Sequence, residues 1–382
     1  MLLHELARLA ADEPALADAT ATVLGCAEHA RAISLASLAS RDGAGTVVAV
    51  TPTGTGASIL ADDLARFLGR DHVALFPAWE TLPFERVSPA TETMGRRLEV
   101  LSRLGGGDPP RIVVASVRAV LQRLAPGTDR TSALVVRRGD TLDADDVLAR
   151  LVSQGYRREQ VVEHRGEVAR RGSIIDVFPS TGDHPVRIDL WGDEVDRLTA
   201  FEVGDQRSSR DLDAAHILPA REFLPDATVR ARAAALVSSE PWGREQWERL
   251  AEGSVFDGME SWLPWFADDR LMIDAAAERA AASGTALHLV LVDQKRLADR
   301  GRDVIAEEAD LAGALASTWA RDAQVEVPAL HAPPDRMLAG APGARVTSLI
   351  SPAEARGEPV VDAGTWGFRG GDPAAVAAAH RN

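Results

Sequence analysis

Thr46 to Leu60 reads TVVAVTPTGTGASIL, and this stretch constrains the fold more than any other part of the chain. A short apolar strand, Val47 to Val50, runs into a Gly-rich turn, Thr53-Gly54-Thr55-Gly56, and a helix follows. Strand, Gly-rich loop and helix in that order form the setting of a Walker A phosphate loop. In a working G-x-x-x-x-G-K-[ST] loop, backbone N–H groups cradle the phosphates, the lysine reaches the β/γ oxygens and the hydroxyl holds Mg²⁺. Here Thr51 stands where the first glycine belongs and Ala57 where the lysine belongs; only Gly56 and Ser58 fit. The single lysine of the chain is Lys295, in the non-glycine context VLVDQKRL. Thr51, Gly54, Gly56, Ala57 and Ser58 therefore predict a degenerate phosphate loop, a tight turn that opens a helix. This chain is expected to hold no nucleotide, cofactor or metal ion of its own, although weak anion binding at the helix end stays open.

The pattern around the loop agrees with a nucleotide-binding type of fold. Apolar runs at Val47–Val50, Val73–Phe76 and Ile112–Ala115 alternate with helical periodicity at Ala57–Leu68, Thr91–Leu104 and Val117–Leu124. Short buried strands separated by helices predict a parallel sheet covered on both faces. Helical periodicity also covers Leu2 to Val23. From Ser132 to Arg210 the character changes: a helix at Asp143–Gln154 precedes strands at Glu159–Glu163, Val168–Arg171, Ser173–Phe178, Val186–Leu190 and Glu194–Val203. Turns at Ser180-Thr181-Gly182-Asp183 and Gly192-Asp193 suit antiparallel hairpins. Helices return at Asp226–Ser239 and Arg244–Leu250, and strand-like runs at Leu271–Ile273 and Ala286–Val292 would extend the first sheet. The expected architecture is α/β: a discontinuous RecA-like parallel-sheet domain made of 1–127 and 211–345, with an inserted α+β domain at 128–210. Residues 346–382 read as a linker and the start of a following segment, so a piece of a longer protein is expected.

Composition narrows the class. The chain has 382 residues, 46% of them hydrophobic and 26% charged, with a net charge of −15. That charge argues against a surface that coats nucleic acid, without excluding a local basic patch. A single cysteine, Cys26, excludes a disulfide framework and fits a reducing cytoplasm, and no apolar run has membrane-spanning length. His164 and His184 lack ligand spacing, so no metal site is read. Trp79, Trp262 and Trp265 sit among prolines and apolar residues and are expected to pack in a core.

Several blocks in order resemble one family. They are FPAWETLPFERVSPATETMGRRLEVL (Phe76–Leu101), VVASVRAVLQRL (Val113–Leu124), GYRREQVVEHRGEVARRGSIIDVFP (Gly155–Pro179), VRIDLWGDEVDRLTAFEVGDQRS (Val186–Ser208) and DGMESWLPWF (Asp257–Phe266). Together they resemble the N-terminal module of the bacterial transcription-repair coupling factors, the part homologous to the excision-repair protein UvrB. Three departures separate the chain from UvrB itself. The lysine position is Ala57. Arg270-Leu-Met-Ile-Asp274-Ala275 sits where a Walker B strand would end in Asp-Glu, and Ala275 replaces the acid. UvrB also carries a long tyrosine-rich hairpin after the position of Glu80, and a chain whose one tyrosine is Tyr156 cannot build it.

The resemblance implies a catalytically silent adaptor whose inserted domain docks the repair protein UvrA. It places the docking arginines at Arg158 and Arg171, with Arg157 adjacent and Ile175 as an apolar contact beside them. An arginine pair around an apolar anchor is plausible hot-spot chemistry; without the family, a solvated strand face with weak ion pairs would be the plainer reading. RNA polymerase and DNA would be engaged by the rest of a longer family protein, whose C-terminal motor uses ATP and Mg²⁺. In the family a C-terminal domain masks the docking face, so this chain alone is expected to bind UvrA constitutively. Two rivals remain: a divergent UvrB-like ATPase acting on damaged DNA, and a free-standing decoy that titrates UvrA.

Overall fold

A computed structural model describes residues 7, 14–17, 22–41, 45–82, 85–130, 132–240, 243–319 and 327–361. The body is built on a six-stranded sheet in which every neighbouring pair is parallel. Across the sheet the strands are β1 (Val23–Gly25), β14 (Arg345–Ile350), β13 (His288–Val292), β2 (Val47–Thr51), β4 (Ile112–Ser116) and β3 (Val73–Phe76). Side chains alternate between two faces along each strand. Val47, Ala49, Ile112 and Val114 pack with helices Arg31–Ala39 and Gly54–Leu68 on one side. Val48, Val50, Val113 and Ala115 pack with helices Thr91–Gly105, Val117–Leu121 and Met272–Ala282 on the other. Apolar residues on both faces explain the unbroken hydrophobic runs in the sequence.

The second unit has a six-stranded sheet of its own, in the order β11 (Ser208–Asp211), β10 (Glu194–Phe201), β9 (Val186–Trp191), β8 (Ile174–Val177), β7 (Glu167–Arg171) and β6 (Arg157–Arg158). Its pairs are antiparallel except β6 with β7. One face packs on helix Ala144–Ser153 through Val147, Leu148 and Leu151. Beside it β5 (Leu134–Arg137) pairs antiparallel with β12 (Ala214–Ile217), so chain entering and leaving the unit runs side by side. The α/β architecture with an inserted α+β unit is the one the sequence predicts.

Several local expectations differ. Leu271–Ile273 is not a strand but the start of helix Met272–Ala282. Asp274 closes that start: its Oδ2 accepts from the Leu271 N–H at 2.7 Å, a local cap that outcompetes a strand of three apolar residues. Glu159–Glu163 is not a strand either; pairing ends at β6, and Val162 turns inward to join Ala169, Phe178 and Phe201 in a small cluster of its own. β14 adds Arg345–Ile350 to the body's sheet, past the residue 345 at which the sequence ends that unit. Of the predicted helix over Leu2–Val23, residues 7, 14–17, 22 and 23 are described: Pro14–Ala17 is helical and Val23 belongs to β1, while the C-terminal segment after 361 lies outside the described residues.

Body and insert are locked by buried charge. Arg97, on helix Thr91–Gly105, and Glu222, where the chain returns from the insert, form an ion pair whose side chains are both 0% exposed. Arg97 Nε donates to Glu222 Oε2 at 2.6 Å and Nη2 to Oε1 at 3.1 Å, while Nη1 reaches the Pro77 carbonyl at 2.9 Å. Trp79 Nε1 donates to Glu222 Oε2 at 3.1 Å, and the guanidinium lies 4.3 Å from the Phe76 ring centre. Gly95, two residues before Arg97, lets Ser180 of the insert approach the helix: a Cβ there would sit 2.5 Å from the Ser180 hydroxyl.

Removing one partner of such a pair strands a buried charge, at a cost of about 3–5 kcal/mol. Glu222→Ala should therefore lower stability by about that amount in urea unfolding, and the double variant Arg97→Met/Glu222→Leu should recover much of it. A double variant no better than Glu222→Ala alone would contradict this account. A second expectation concerns His288 in β13. Burial, with help from Arg345 and Arg41, pushes its pKa from 6.5 down to about 4, and its Nε2 lies 2.9 Å from Thr347 Oγ1. The unfolded imidazole takes up a proton before the folded one, so this contribution is full above pH 6.5 and is lost as pH falls toward 4. His288→Gln should flatten the fall in stability over that window, measured by denaturant midpoints at a series of pH values.

Candidate functional site

Helix Gly54–Leu68 begins with a conventional cap where a phosphate loop would wrap an anion. Thr53 is the cap: its Oγ1 accepts from the Gly56 N–H at 3.1 Å, and its carbonyl accepts from the Ala57 N–H at 3.0 Å. Thr51 Oγ1 donates to the Thr53 carbonyl at 2.9 Å, which tightens the turn. Ser58 Oγ donates back to the Gly54 carbonyl at 3.2 Å. Ala57 is 2% exposed and packs in the core, so its side chain faces the sheet and not the cleft. The backbone donors at Gly56 and Ala57 are thus already committed within the chain.

The acid beside this cleft is not where the sequence places it. β13 is the neighbour of β2, and the residue that follows β13, Asp293, lines a cavity of about 300 Å³ together with Thr51, Thr53 and Gly56. Asp293 has φ +58° and pairs with Arg296 at 3.3 Å; Gln294 follows it. Asp274 lies instead at the cap of helix Met272–Ala282, paired with Arg336 at 2.8 Å. The sequence missed Asp293 because Leu271–Ile273 offered an apolar run followed by Asp, and only sheet order tells which run lies beside β2.

The insert presents the other candidate site. Cross-strand register puts Arg171 opposite Ile174, Ile174 opposite Asp189 and Asp189 opposite Arg197, in one row across four strands. This row lies on the sheet face away from helix Ala144–Ser153. One step further from the hairpin tips, Asp176 pairs with Arg187 in register. The Asp176 carboxylate is 1% exposed and takes Arg171 Nη2 at 2.7 Å and Arg187 Nε and Nη2 at 2.7 and 3.0 Å. Those hydrogen bonds hold the Arg187 guanidinium above its usual pKa, against the opposing effect of its partial burial. Arg187 also covers the Phe201 ring at 4.7 Å. The arginine lattice is therefore built inward, with Arg171 left at its outer edge.

Arg157 shares this face, opposite Glu167, and pairs with Glu167 Oε1 at 3.0 Å. Burial alone would raise the Glu167 pKa. The Glu163 and His164 amides it accepts, with the His164 and Arg157 charges, outweigh burial and hold it low. Arg158 is opposite Val168 and so projects to the other side of the sheet, at the edge strand; its guanidinium makes no ion pair or hydrogen bond among the described residues. Ile175 corrects the sequence reading: it is 0% exposed inside the insert's core, opposite Ile188, and offers no contact surface. Period-two alternation decides this, because Ile175 and Val177 face inward while Ile174 and Asp176 face the arginine side. Arg187 and Trp191 also lie on the arginine face. The alternation of Val186, Ile188 and Leu190 inward would have pointed to both.

No group of three or more His, Cys, Asp or Glu could hold a metal ion among the described residues. Trp79, Trp262 and Trp265 pack with Trp247 and Phe266 in a buried aromatic cluster. Asp257 and Glu260 both bind Arg221, at 2.9 and 2.7 Å, and Ser88 Oγ donates to Glu260 at 2.6 Å, pinning the segment after Glu80 onto that cluster.

Residues 134–223 match the family model of the UvrB interaction domain, the stretch from β5 through β12 to Glu222 and the residue after it. A transcription-repair-coupling factor of Mycobacterium bovis is 40% identical over 280 residues, 68% of this chain. The transcription-repair-coupling factor of Escherichia coli is 32% identical over 236 residues, 60% of this chain, and that of Bacillus subtilis 36% identical over 181 residues, 47% of it. The chain belongs with the transcription-repair-coupling factors. It spans 22% of the length of the Mycobacterium protein, 20% of the Escherichia coli one and 15% of the Bacillus subtilis one. No helix among the described residues is long and apolar enough to cross a membrane.

Restoring the missing lysine should not restore a nucleotide site. Ala57→Lys puts an ammonium group into packed core, and the variant should melt earlier than the parent with no shift in melting temperature on adding ATP and Mg²⁺. An ATP-dependent rise would show that the loop geometry is competent after all.

Proposed function

We propose that this chain is the adaptor module of a transcription-repair-coupling factor, whose insert captures UvrA and so brings nucleotide excision repair to a stalled RNA polymerase. RNA polymerase and DNA would be engaged through other parts of a longer protein, where the ATP-driven motor would also reside, and this module would itself be catalytically silent. The observation that carries the reading is the arginine face of the insert, inside the stretch that matches the UvrB interaction domain. A guanidinium has five N–H donors. Arg171 spends one of them on Asp176, with its side chain 48% exposed, so its remaining donors can pair with a partner's carboxylate in the bidentate geometry arginine favours. Asp176 fixes the side chain before binding, which reduces the entropy lost on docking.

The capped, lysine-free loop supports an adaptor over a UvrB-like ATPase, since its Gly56 and Ala57 amides are already bonded within the chain. Arg157 and Arg171 share the face, while Arg158 reaches a partner only if docking wraps the β6 edge. Calorimetric titration of UvrA into this chain should give binding that Arg171→Ala weakens at least about tenfold, with no ATP hydrolysis by the chain alone. UvrA binding indifferent to Arg171→Ala, or ATP turnover by the purified chain, would overturn the proposal.

A further inference from the structure

Trp191 is 83% exposed, the most exposed of the large apolar side chains among the described residues. Trp79, Trp247, Trp262 and Trp265 are all buried. An indole left in water on a well-formed strand forfeits one of the largest burial gains available to a side chain. The fold imposes no such loss here, because Trp191 is the last residue of β9 and the turn at Gly192 would accept a polar neighbour. Its position is set by alternation: Val186, Ile188 and Leu190 point into the insert's core, so Arg187, Asp189 and Trp191 point to the arginine face. Trp191 thus stands one step beyond the row Arg171, Ile174, Asp189 and Arg197. From β7 to β9 is two strand spacings, about 10 Å. Its indole makes no hydrogen bond or ring contact among the described residues, and only its backbone is engaged, in the pair with Glu194.

We propose that Trp191 is the apolar anchor of the UvrA-docking face, filling the role that the buried Ile175 cannot. This rests on the adaptor reading above and says which surface feature of UvrA it requires: an apolar pocket for the indole, bordered by carboxylates that meet Arg171 and Arg197. Arg197 is held by Asp211 at 3.0 Å with its side chain 59% exposed, so both flanking guanidinium groups are positioned in advance and still reachable. Exposed tryptophan between pre-set arginines is the composition of an interface hot spot, where desolvation of the ring supplies the energy and the charges fix orientation. The surface around it supplies the counterpart. Ile174 is only partly buried, and no element of the described chain covers this half of the face, whereas Val162 and Gln206 close the other half.

The test is titration of purified UvrA into four proteins: the parent chain, Trp191→Ala, Trp191→Phe and Arg171→Ala. Trp191→Ala should weaken binding at least about 30-fold, the scale of a hot-spot residue, and Trp191→Phe should restore most of it. Because the side chain is exposed, Trp191→Ala should melt at the parent temperature, which separates lost contact from lost fold. If Arg171→Ala weakens binding but Trp191→Ala does not, the anchor is wrong and the adaptor reading stands. If the parent chain does not bind UvrA, both fall together.

Discussion

The ion pair between Arg97 and Glu222 is the contact on which the arrangement of the two units depends. It joins a helix of the body to the point where the chain comes back from the insert, with both charges fully out of water. Burying two charges costs several kcal/mol each, and the attraction repays this only when the remaining hydrogen-bonding capacity is met. Here it is met by the Pro77 carbonyl, the Trp79 indole N–H and the face of Phe76. Few other geometries satisfy all these groups together, so the pair fixes position more than it adds stability. The neighbouring Arg221 extends the same logic, binding Glu260, Asp257 and Ser88 and holding the segment after Glu80 against the aromatic cluster.

That anchoring has a functional consequence. An insert held by two consecutive charged residues at its exit, with Ser180 pressed against Gly95, presents its open sheet face in a fixed direction relative to the body. Within the insert, Asp176 plays the corresponding part at smaller scale: one buried carboxylate organises Arg171 and Arg187, and Glu167 does the same for Arg157. Preorganised guanidinium groups lose little freedom on binding, which suits the docking role proposed for this face. The body, by contrast, keeps the frame of a nucleotide-binding sheet while its loop is closed by its own threonines.

Much of the candidate site was legible because strands have a period of two and the inserted unit is rich in charged residues at alternating positions. Arg171 and Arg157 follow from that pattern and from the resemblance. Ile175 is where alternation decides against the resemblance: it lies opposite Arg170, on the same side of the hairpin as Val168, and that side is the core. Arg158 shows a limit of another kind, since its face depends on a parallel pairing between β6 and β7 that no local signal announces. Asp293 was hidden for the same reason, as its closeness to the Gly54-Thr55-Gly56 turn comes from strand order across more than 230 residues.

The sequence alone determined that the chain is an α/β body with an α+β insert, that the phosphate loop lacks its lysine, and which arginines cluster in an acidic protein. These are properties of composition and short-range periodicity, and they do not depend on what packs on what. Tertiary structure alone decided which acid lies beside the loop, which isoleucine is buried, and that Trp191 is left in water on the arginine face. It also decided that Arg97 and Glu222 meet. Such facts depend on register and strand order, which join residues far apart in the chain, and burial is a property of those joined surfaces and not of any residue by itself.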